Sequence, residues 1–153
     1  VHNKNLALEL WCMDKLVAIV PPNHQLIDRK SINVNSLVEY PYICREEGSG
    51  TRDVINEYLY SAGLNPRNLN VGMELGNPEA IKRAVEAGMG ISIISNASIV
   101  KEVQLNTLVA IQLEPVLERA FYFVHQKQKF RVRAMEELLK FTRAYGEKHP
   151  KFN

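Results

Sequence analysis

What the chain lacks narrows it first. None of its apolar runs approaches the roughly 20 residues needed to cross a bilayer. It has only two cysteines, Cys12 and Cys44, and they form no CxxC pair. The four histidines, His2, His24, His125 and His149, make neither HExxH nor HxH. With no histidine at ligand spacing from either thiol, no metal and no cofactor are expected, and both thiols read as buried or half-buried groups of a reducing cytosol. Charge of one sign is also scarce. A net charge of +2 argues against the clustered basic face of a nucleic-acid-binding segment. The first ten residues lack the basic region, long apolar region and cleavage site of a signal peptide, and there is no initiator Met. The chain therefore reads as a fragment or a processed piece, with the cytoplasm as the expected location.

What is present is ordinary for a globular chain: 46% hydrophobic and 24% charged residues over a length of 153, enough for one domain or two small lobes. The most organised stretch is Met73 to Ser95. Val71 to Leu75 has strand character. Asn77 suits an N-cap and Pro78 the first helical position, where a missing N–H costs nothing. Ala80, Ile81, Ala84, Val85 and Ala87 form an apolar stripe, Gly88 suits a left-handed cap, and Ile91, Ile93 and Ile94 open a buried strand.

Upstream, Leu6, Leu8, Leu10 and Cys12 alternate as in a strand edge that ends at Asp14, and Lys15–Val20 reads as a separate strand stopped by Pro21-Pro22. Residues 23–30 read as an exposed polar connection. Residues 36–40 read as a helical turn capped by Asn35, and 41–45 as a strand. A glycine turn, 46–52, then opens a helix with Val54, Ile55, Tyr58 and Leu59 facing inward and Gly63 ending it. Downstream, Asn96 is expected to cap a short helix through Val103. Strands follow at 108–113 and 119–125, with Phe121 and Phe123 on one face and Tyr122 and Val124 on the other. An amphipathic helix over 132–145 places Met135, Leu138, Leu139, Thr142 and Tyr145 inward and Arg131, Arg133, Glu136, Glu137 and Lys140 outward, and Gly146 ends it. Strands alternating with helices predict an α/β class with a mainly parallel sheet. The chain leaves one lobe, builds a second and returns: 1–21 as part of a first lobe and a hinge strand, 22–115 as a second α/β lobe, and 116–153 as a return strand and closing helix.

Two helix starts carry the candidate chemistry. Gly48-Ser49-Gly50-Thr51-Arg52 follows a strand and opens a helix, but it is not GxxxxGKS/T and has no Lys at the needed place. Free helix N–H groups beside two small hydroxyls suit a carboxylate or similar oxyanion, although Ser49 can equally act as a cap, and the two roles can coexist. The second start is at 77–79. In a parallel sheet both would lie at the C-terminal edge of the strands, where open α/β sheets bind ligands. Catalysis finds no support: Ser49 lies outside any GxSxG elbow, no His or Lys is tied to it by spacing, and adjacent Glu46 and Glu47 would point to opposite strand faces.

Three pieces in order, Asp14-Lys-Leu-Val-Ala-Ile-Val-Pro-Pro-Asn-His-Gln-Leu26, Tyr42-Ile-Cys-Arg-Glu-Glu-Gly-Ser-Gly-Thr-Arg52 and Glu74-Leu-Gly-Asn-Pro-Glu-Ala-Ile through Ser95, carry a resemblance that covers nearly the whole chain. It resembles the C-terminal half of the effector-binding domain of LysR-type bacterial transcriptional regulators. The resemblance implies a periplasmic-binding-protein-like type 2 fold: two α/β lobes, two crossing hinge strands and an effector cleft between the lobes. It implies effector contacts at Ser49, Gly50 and Thr51, at Gly76 and Asn77, and around Met89, Gly90 and Ile91. Relatives often carry Ser or Thr where this chain has Gly76. It also implies a homodimer, and a DNA-binding winged helix-turn-helix together with the front of the first lobe, neither of which lies in these residues. A truncated first lobe would expose apolar surface such as the Phe121/Phe123 face. The function so implied is binding of a small, anionic metabolite as co-inducer, with no enzymatic activity. A transport solute-binding protein of the same fold is the alternative. An α/β hydrolase or transferase would need a nucleophile–base pair that the sequence does not offer.

Overall fold

The computed structural model describes residues 5–127 and 133–148. Seven strands and four helices follow in order: β1 (Leu6–Val20), β2 (Ser31–Asn33), β3 (Pro41–Arg45), α1 (Gly50–Ser61), β4 (Asn70–Leu75), α2 (Pro78–Glu86), β5 (Ser92–Ser95), α3 (Val100–Gln104), β6 (Val109–Glu114), β7 (Leu117–Gln126) and α4 (Arg133–Lys148). Short 3-10 turns lie between some of them. The chain divides into two compact units, Val1–Asp14 with Glu118–Asn153, and Lys15–Leu117.

In the larger unit, the residues of β1 from Leu16 to Val20 are buried without a break, and alternate side chains enter different cores. Leu16, Ala18 and Val20 join Tyr42, Cys44 and the Ile55, Tyr58 and Leu59 face of α1. Val17 and Ile19 join Ile43 and the Ile81, Ala84 and Val85 face of α2. A strand covered on both faces needs a continuous apolar run rather than an alternating one, which is why Leu-Val-Ala-Ile-Val stands out in the sequence. The Tyr58 hydroxyl reaches Pro115 O at 2.6 Å, and burial pushes this phenol up to about 12.

The sheet is mixed, not mainly parallel. β1 runs antiparallel to β5 (Leu16 opposite Ser95, Ile19 opposite Ser92) and to β6 (Ala18 opposite Ile111). Among the described residues, parallel pairing is confined to β2 with β6, β3 with β4, and a single bridge of Tyr42 to Ile91. The helix-crossover rule constrains consecutive strands such as β3-α1-β4. It says nothing of strands that meet after several intervening elements, as β1 meets β5 and β6.

Several local expectations also change. Leu6 to Val20 is one strand, because Asp14 is buried against Arg119 rather than ending the run. The 23–30 connection is turned rather than uniformly exposed, with Leu26 buried. Asn33, not Asn35, caps the 3-10 turn Val34–Glu39 through its side chain. Ser95, not Asn96, holds the cap position before the turn Asn96–Ile99, with no side-chain capping bond. By contrast, Asn77 caps α2 as expected, its Oδ1 accepting from Ala80 N at 2.8 Å, and Gly88 takes φ +76° after the helix.

The smaller unit holds β1 up to Asp14, β7 from Glu118, and α4. Asn5 O accepts from Lys127 N at one end of the strand pair, and Arg119 bonds Asp14 at 2.8 Å at the other. Trp11 packs on Phe123 with ring centroids 5.5 Å apart, and Arg143 grips Glu9 through two nitrogens at 2.6 Å, tying α4 to β1. Phe121 is exposed as expected, but Phe123 is half-buried, and Tyr122 and Val124 on the other face are exposed too. On α4, Leu139 is buried while Leu138 and Tyr145 are not, and the helix continues through Gly146 to Lys148. Arg131, Val132 and the tail from His149 lie outside the described residues.

Two glycines test the packing. Gly90 has φ +155°, and a Cβ there would meet Pro41 O at 2.5 Å; Gly76 has open space around it. Gly90→Ala is expected to lower stability to urea by about 1–3 kcal/mol or more from backbone strain alone, and Gly76→Ala to change it by no more than about 0.5–1 kcal/mol.

Candidate functional site

The larger unit builds its candidate site from parallel pairing. β3 and β4 run in one direction with Arg45 opposite Leu75, and Glu46 N donates to Leu75 O at 3.2 Å beyond the last pair. Each strand is followed within a few residues by a helix, α1 after β3 and α2 after β4. Both helix N-termini therefore leave the same end of the strand pair. Their first-turn N–H groups have no carbonyl one turn back to bond, and they carry the positive end of each helix dipole.

At the first start, Ser49 N donates to Glu46 O at 3.2 Å, and Ser49 O accepts from Asp53 N at 3.0 Å. Ser49 is buried, yet its hydroxyl makes no capping bond. The capping reading for this side chain thus falls away, and an oxygen held at a helix N-terminus is left over. Gly50 opens the helix, and a Cβ there would meet nothing within 4 Å. Thr51 is half-buried in the first turn. At the second start, Gly76 and Asn77 are exposed. The Asn77 side chain is committed to Ala80 N, and Pro78 has no N–H to offer.

Met89, Gly90 and Ile91 do not join this group. They follow the C-terminal end of α2, and Ile91 N bonds Pro41 O at 2.8 Å, at the start of β3. That is about 13 Å back along the strand from Arg45, at about 3.3 Å per residue. Ile91 is fully buried and also gives its carbonyl to Ile43 N at 2.9 Å, and Gly90 lies against Pro41 O. Met89 is exposed, at that other end of the strand. β5 contributes its far end instead. It is parallel to β3 through the Tyr42–Ile91 bridge, so Ser95 and Asn96 fall at the end occupied by both helix starts. The sequence signal for this is a small polar pair closing a buried strand, which is equally a capping signal.

The charges beside the site are largely spoken for. Arg52 Nη1 bonds Glu74 Oε2 at 2.6 Å and Arg45 O at 2.9 Å, bracing α1 against β4. Arg45 grips Glu46 at 2.6 and 2.7 Å, a bond that holds the Glu46 carboxyl below its usual range. Glu46 and Glu47 lie in the turn after β3, so the opposite-faces expectation for a strand does not apply.

One residue that sequence reasoning missed anchors α2. Lys82 is buried, with Nζ 2.7 Å from Glu79, 2.8 Å from Glu102 and 3.2 Å from Ser98 O. Burial alone would lower its pKa, but the bonds to Glu102 and Glu79 outweigh that and raise it. The bond from Lys82 likewise lowers that of Glu102, against the effect of burial. The Glu79–Lys82 spacing of three was the one visible hint.

Among the described residues there is no cluster of His, Cys, Asp or Glu able to hold a metal, and no helix long and apolar enough to cross a membrane. The arrangement offers N–H and hydroxyl donors to an anion. The Ser49 hydroxyl makes no capping bond.

Comparison with known proteins identifies the family and the fold. A family model described as the LysR substrate binding domain matches residues 1–147. The HTH-type transcriptional regulator YeiE of Escherichia coli K12 is 38% identical over 142 residues, covering 92% of this chain and 47% of YeiE. The HTH-type transcriptional activator CmpR of Synechocystis is 36% identical over 128 residues, 83% of this chain and 41% of CmpR. The chain thus spans about half the length of the curated relatives it matches. Among solved structures, the regulatory domain of CcmR from Synechocystis PCC6803, in complex with 2-PG, superposes with a TM-score of 0.82 at 27% identity, covering 95% of this chain and 69% of that one. The effector-binding domain of QuiR in complex with shikimate has the same fold, with a TM-score of 0.78 at 23% identity, covering 97% and 69%.

The buried ion pair gives a test of how α2 is held. Lys82→Met strands Glu102 and is expected to cost about 3–5 kcal/mol, much of it recovered in Lys82→Met/Glu102→Leu. Because the folded-state pKa of Glu102 is lowered, its contribution is present above the unfolded carboxylate pKa and lost as pH falls through the folded value. Urea midpoints of the native chain should therefore fall with acidification more steeply than those of the double variant.

Proposed function

Since the chain belongs to the LysR substrate-binding-domain family, whose model matches residues 1–147, we propose that it binds a small anionic metabolite at the shared end of β3, β4 and β5. Ser49, Gly50, Thr51, Gly76 and Asn77 are the contacts in this reading, with Ser95 and Asn96 completing the rim. The observation that carries it is the Ser49 hydroxyl, buried at the N-terminus of α1 without a capping bond. A hydroxyl and first-turn N–H groups facing one space match the charge and hydrogen-bonding needs of a carboxylate or phosphate. Two proteins of the same fold, the CcmR regulatory domain and the QuiR effector-binding domain, are complexes with 2-PG and with shikimate, which supports a small-molecule ligand here.

In this reading the chain is not an enzyme. It is a cytoplasmic sensor whose whole regulator works as a homodimer and contacts DNA through a segment outside these 153 residues. An effector acts by binding one conformation of that regulator better than another, and only its differential affinity shifts the balance. β1 and β7, which both cross from one compact unit to the other, are the strands through which a change would pass. The curated relatives compared above are transcriptional regulators, which favours this reading over a transport solute-binding protein.

Calorimetric titration with a panel of small carboxylates and phosphate esters checks the site. Ser49→Ala/Thr51→Ala should weaken the best ligand by about tenfold or more, as expected for losing bonds to a charged group. Gly76→Ser, which has room for its side chain, should tighten it severalfold. Unchanged affinity in both variants would overturn the assignment.

A further inference from the structure

A second feature of the larger unit starts beside that rim, at Arg45 and Arg52, and extends along β3 and β4 toward Asn70. α1, the 3-10 turn Pro66–Asn68, β3 and β4 line a half-open cavity of about 650 Å³, within the range of small-molecule sites. None of Ser49, Gly50, Thr51, Gly76 or Asn77 lines it. Its floor is apolar: Tyr42, Cys44, Ile55 and Leu69 are all buried there. The Cys44 thiol is pushed up by burial and stays neutral, so it adds to that floor.

The rim is different. Asn56, Tyr60, Arg67 and Asn70 line the opening, and among the described residues no hydrogen bond or ion pair engages any of these four side chains. The other two cations of the wall are already neutralised, Arg45 by Glu46 and Arg52 by Glu74. Arg67 is therefore an uncompensated guanidinium beside two uncommitted amides and a phenol. It stands on a turn that is itself held, since Asn65 Oδ1 accepts from Arg67 N at 3.0 Å and the neighbouring Leu69 is buried. A planar fork of N–H donors at the mouth of a cavity with an apolar floor suits a carboxylate carried on a compact ring.

We propose that this cavity is a second ligand site, for a ring-bearing carboxylate whose charge is met by Arg67 and whose ring lies on the Tyr42–Ile55–Leu69 floor. Asn56, Asn70 and Tyr60 take the ring's polar substituents. The site would respond to a different molecule, or to a second copy of the same one, independently of the helix N-termini.

The test is a titration of the full 153-residue chain followed through its backbone amide resonances, with 4-hydroxybenzoate as probe, and 4-hydroxybenzamide and inorganic phosphate as neutral and ringless counterparts. The expected result is that 4-hydroxybenzoate moves the amides of 55–60 and 66–72, the other two do so far more weakly, and Arg67→Ala weakens the response by about tenfold or more. Arg67 is exposed, so the variant should fold; an unchanged spectrum elsewhere checks this, and Arg67→Lys should fall between. Shifts confined to 49–52 and 77–80 would overturn the second site while supporting the first. Equal shifts from phosphate or from the benzamide would overturn the ligand class. Broadening of 66–72 that grows with protein concentration in the absence of any probe would overturn it too, because the cavity would then be a seat for a second copy of the chain.

Discussion

The constraint on which the rest of the larger unit depends is the parallel pairing of β3 with β4. With Arg45 set opposite Leu75, two strands end level, and the helices that follow must begin level as well. Parallel strands need a crossover, and α1 supplies it while covering one face of the sheet. α2 then covers the other. From that single register follow the two buried cores that share β1, the brace of Arg52 on Glu74, and the convergence of two helix N-termini on one space. A slip of one residue would send Tyr42 and Cys44 toward α2 and Ile43 toward α1, and both cores would fail together.

Polar burial is concentrated where elements must be held at fixed angles. Lys82 pins α2 to Glu102 and Ser98, Ser92 Oγ donates to Ile43 O at 2.7 Å between β5 and β3, and Asp14 meets Arg119 between β1 and β7. Each is a directional contact in a place where apolar packing alone would allow sliding. The smaller unit has less apolar burial to rely on. Leu8, Leu10, Tyr122, Val124, Leu138 and Phe141 are all exposed there, more apolar surface than an isolated soluble unit usually shows.

Much of this was legible in the residue order. Local rules placed β3, α1, α2 and the Asn77 cap within a residue or so, because periodicity, capping and glycine conformation are properties of a few neighbouring residues. The family resemblance was legible for the same reason: it rests on three contiguous pieces. Apart from the shifted caps at Asn33 and Ser95, the differences share one cause. The continuous β1, the antiparallel neighbours of β1, buried Lys82 and exposed Leu138 all depend on what lies across space from them, and no short window of sequence contains that.

The candidate site divides along the same line. The sequence by itself determined that two helices begin just after strands, each with small polar residues and unbonded N–H groups, since that chemistry is local. Only the tertiary structure decided which strand ends meet. It joined Ser49–Thr51 to Gly76–Asn77, brought in Ser95, and set Met89–Ile91 at the other end of β3, where Ile91 spends its backbone groups on Pro41 and Ile43. The physical reason is that strand direction and register are fixed by hydrogen bonds and packing between segments far apart in the chain. A glycine turn shows that the chain reverses there, but not which end of the sheet it reaches.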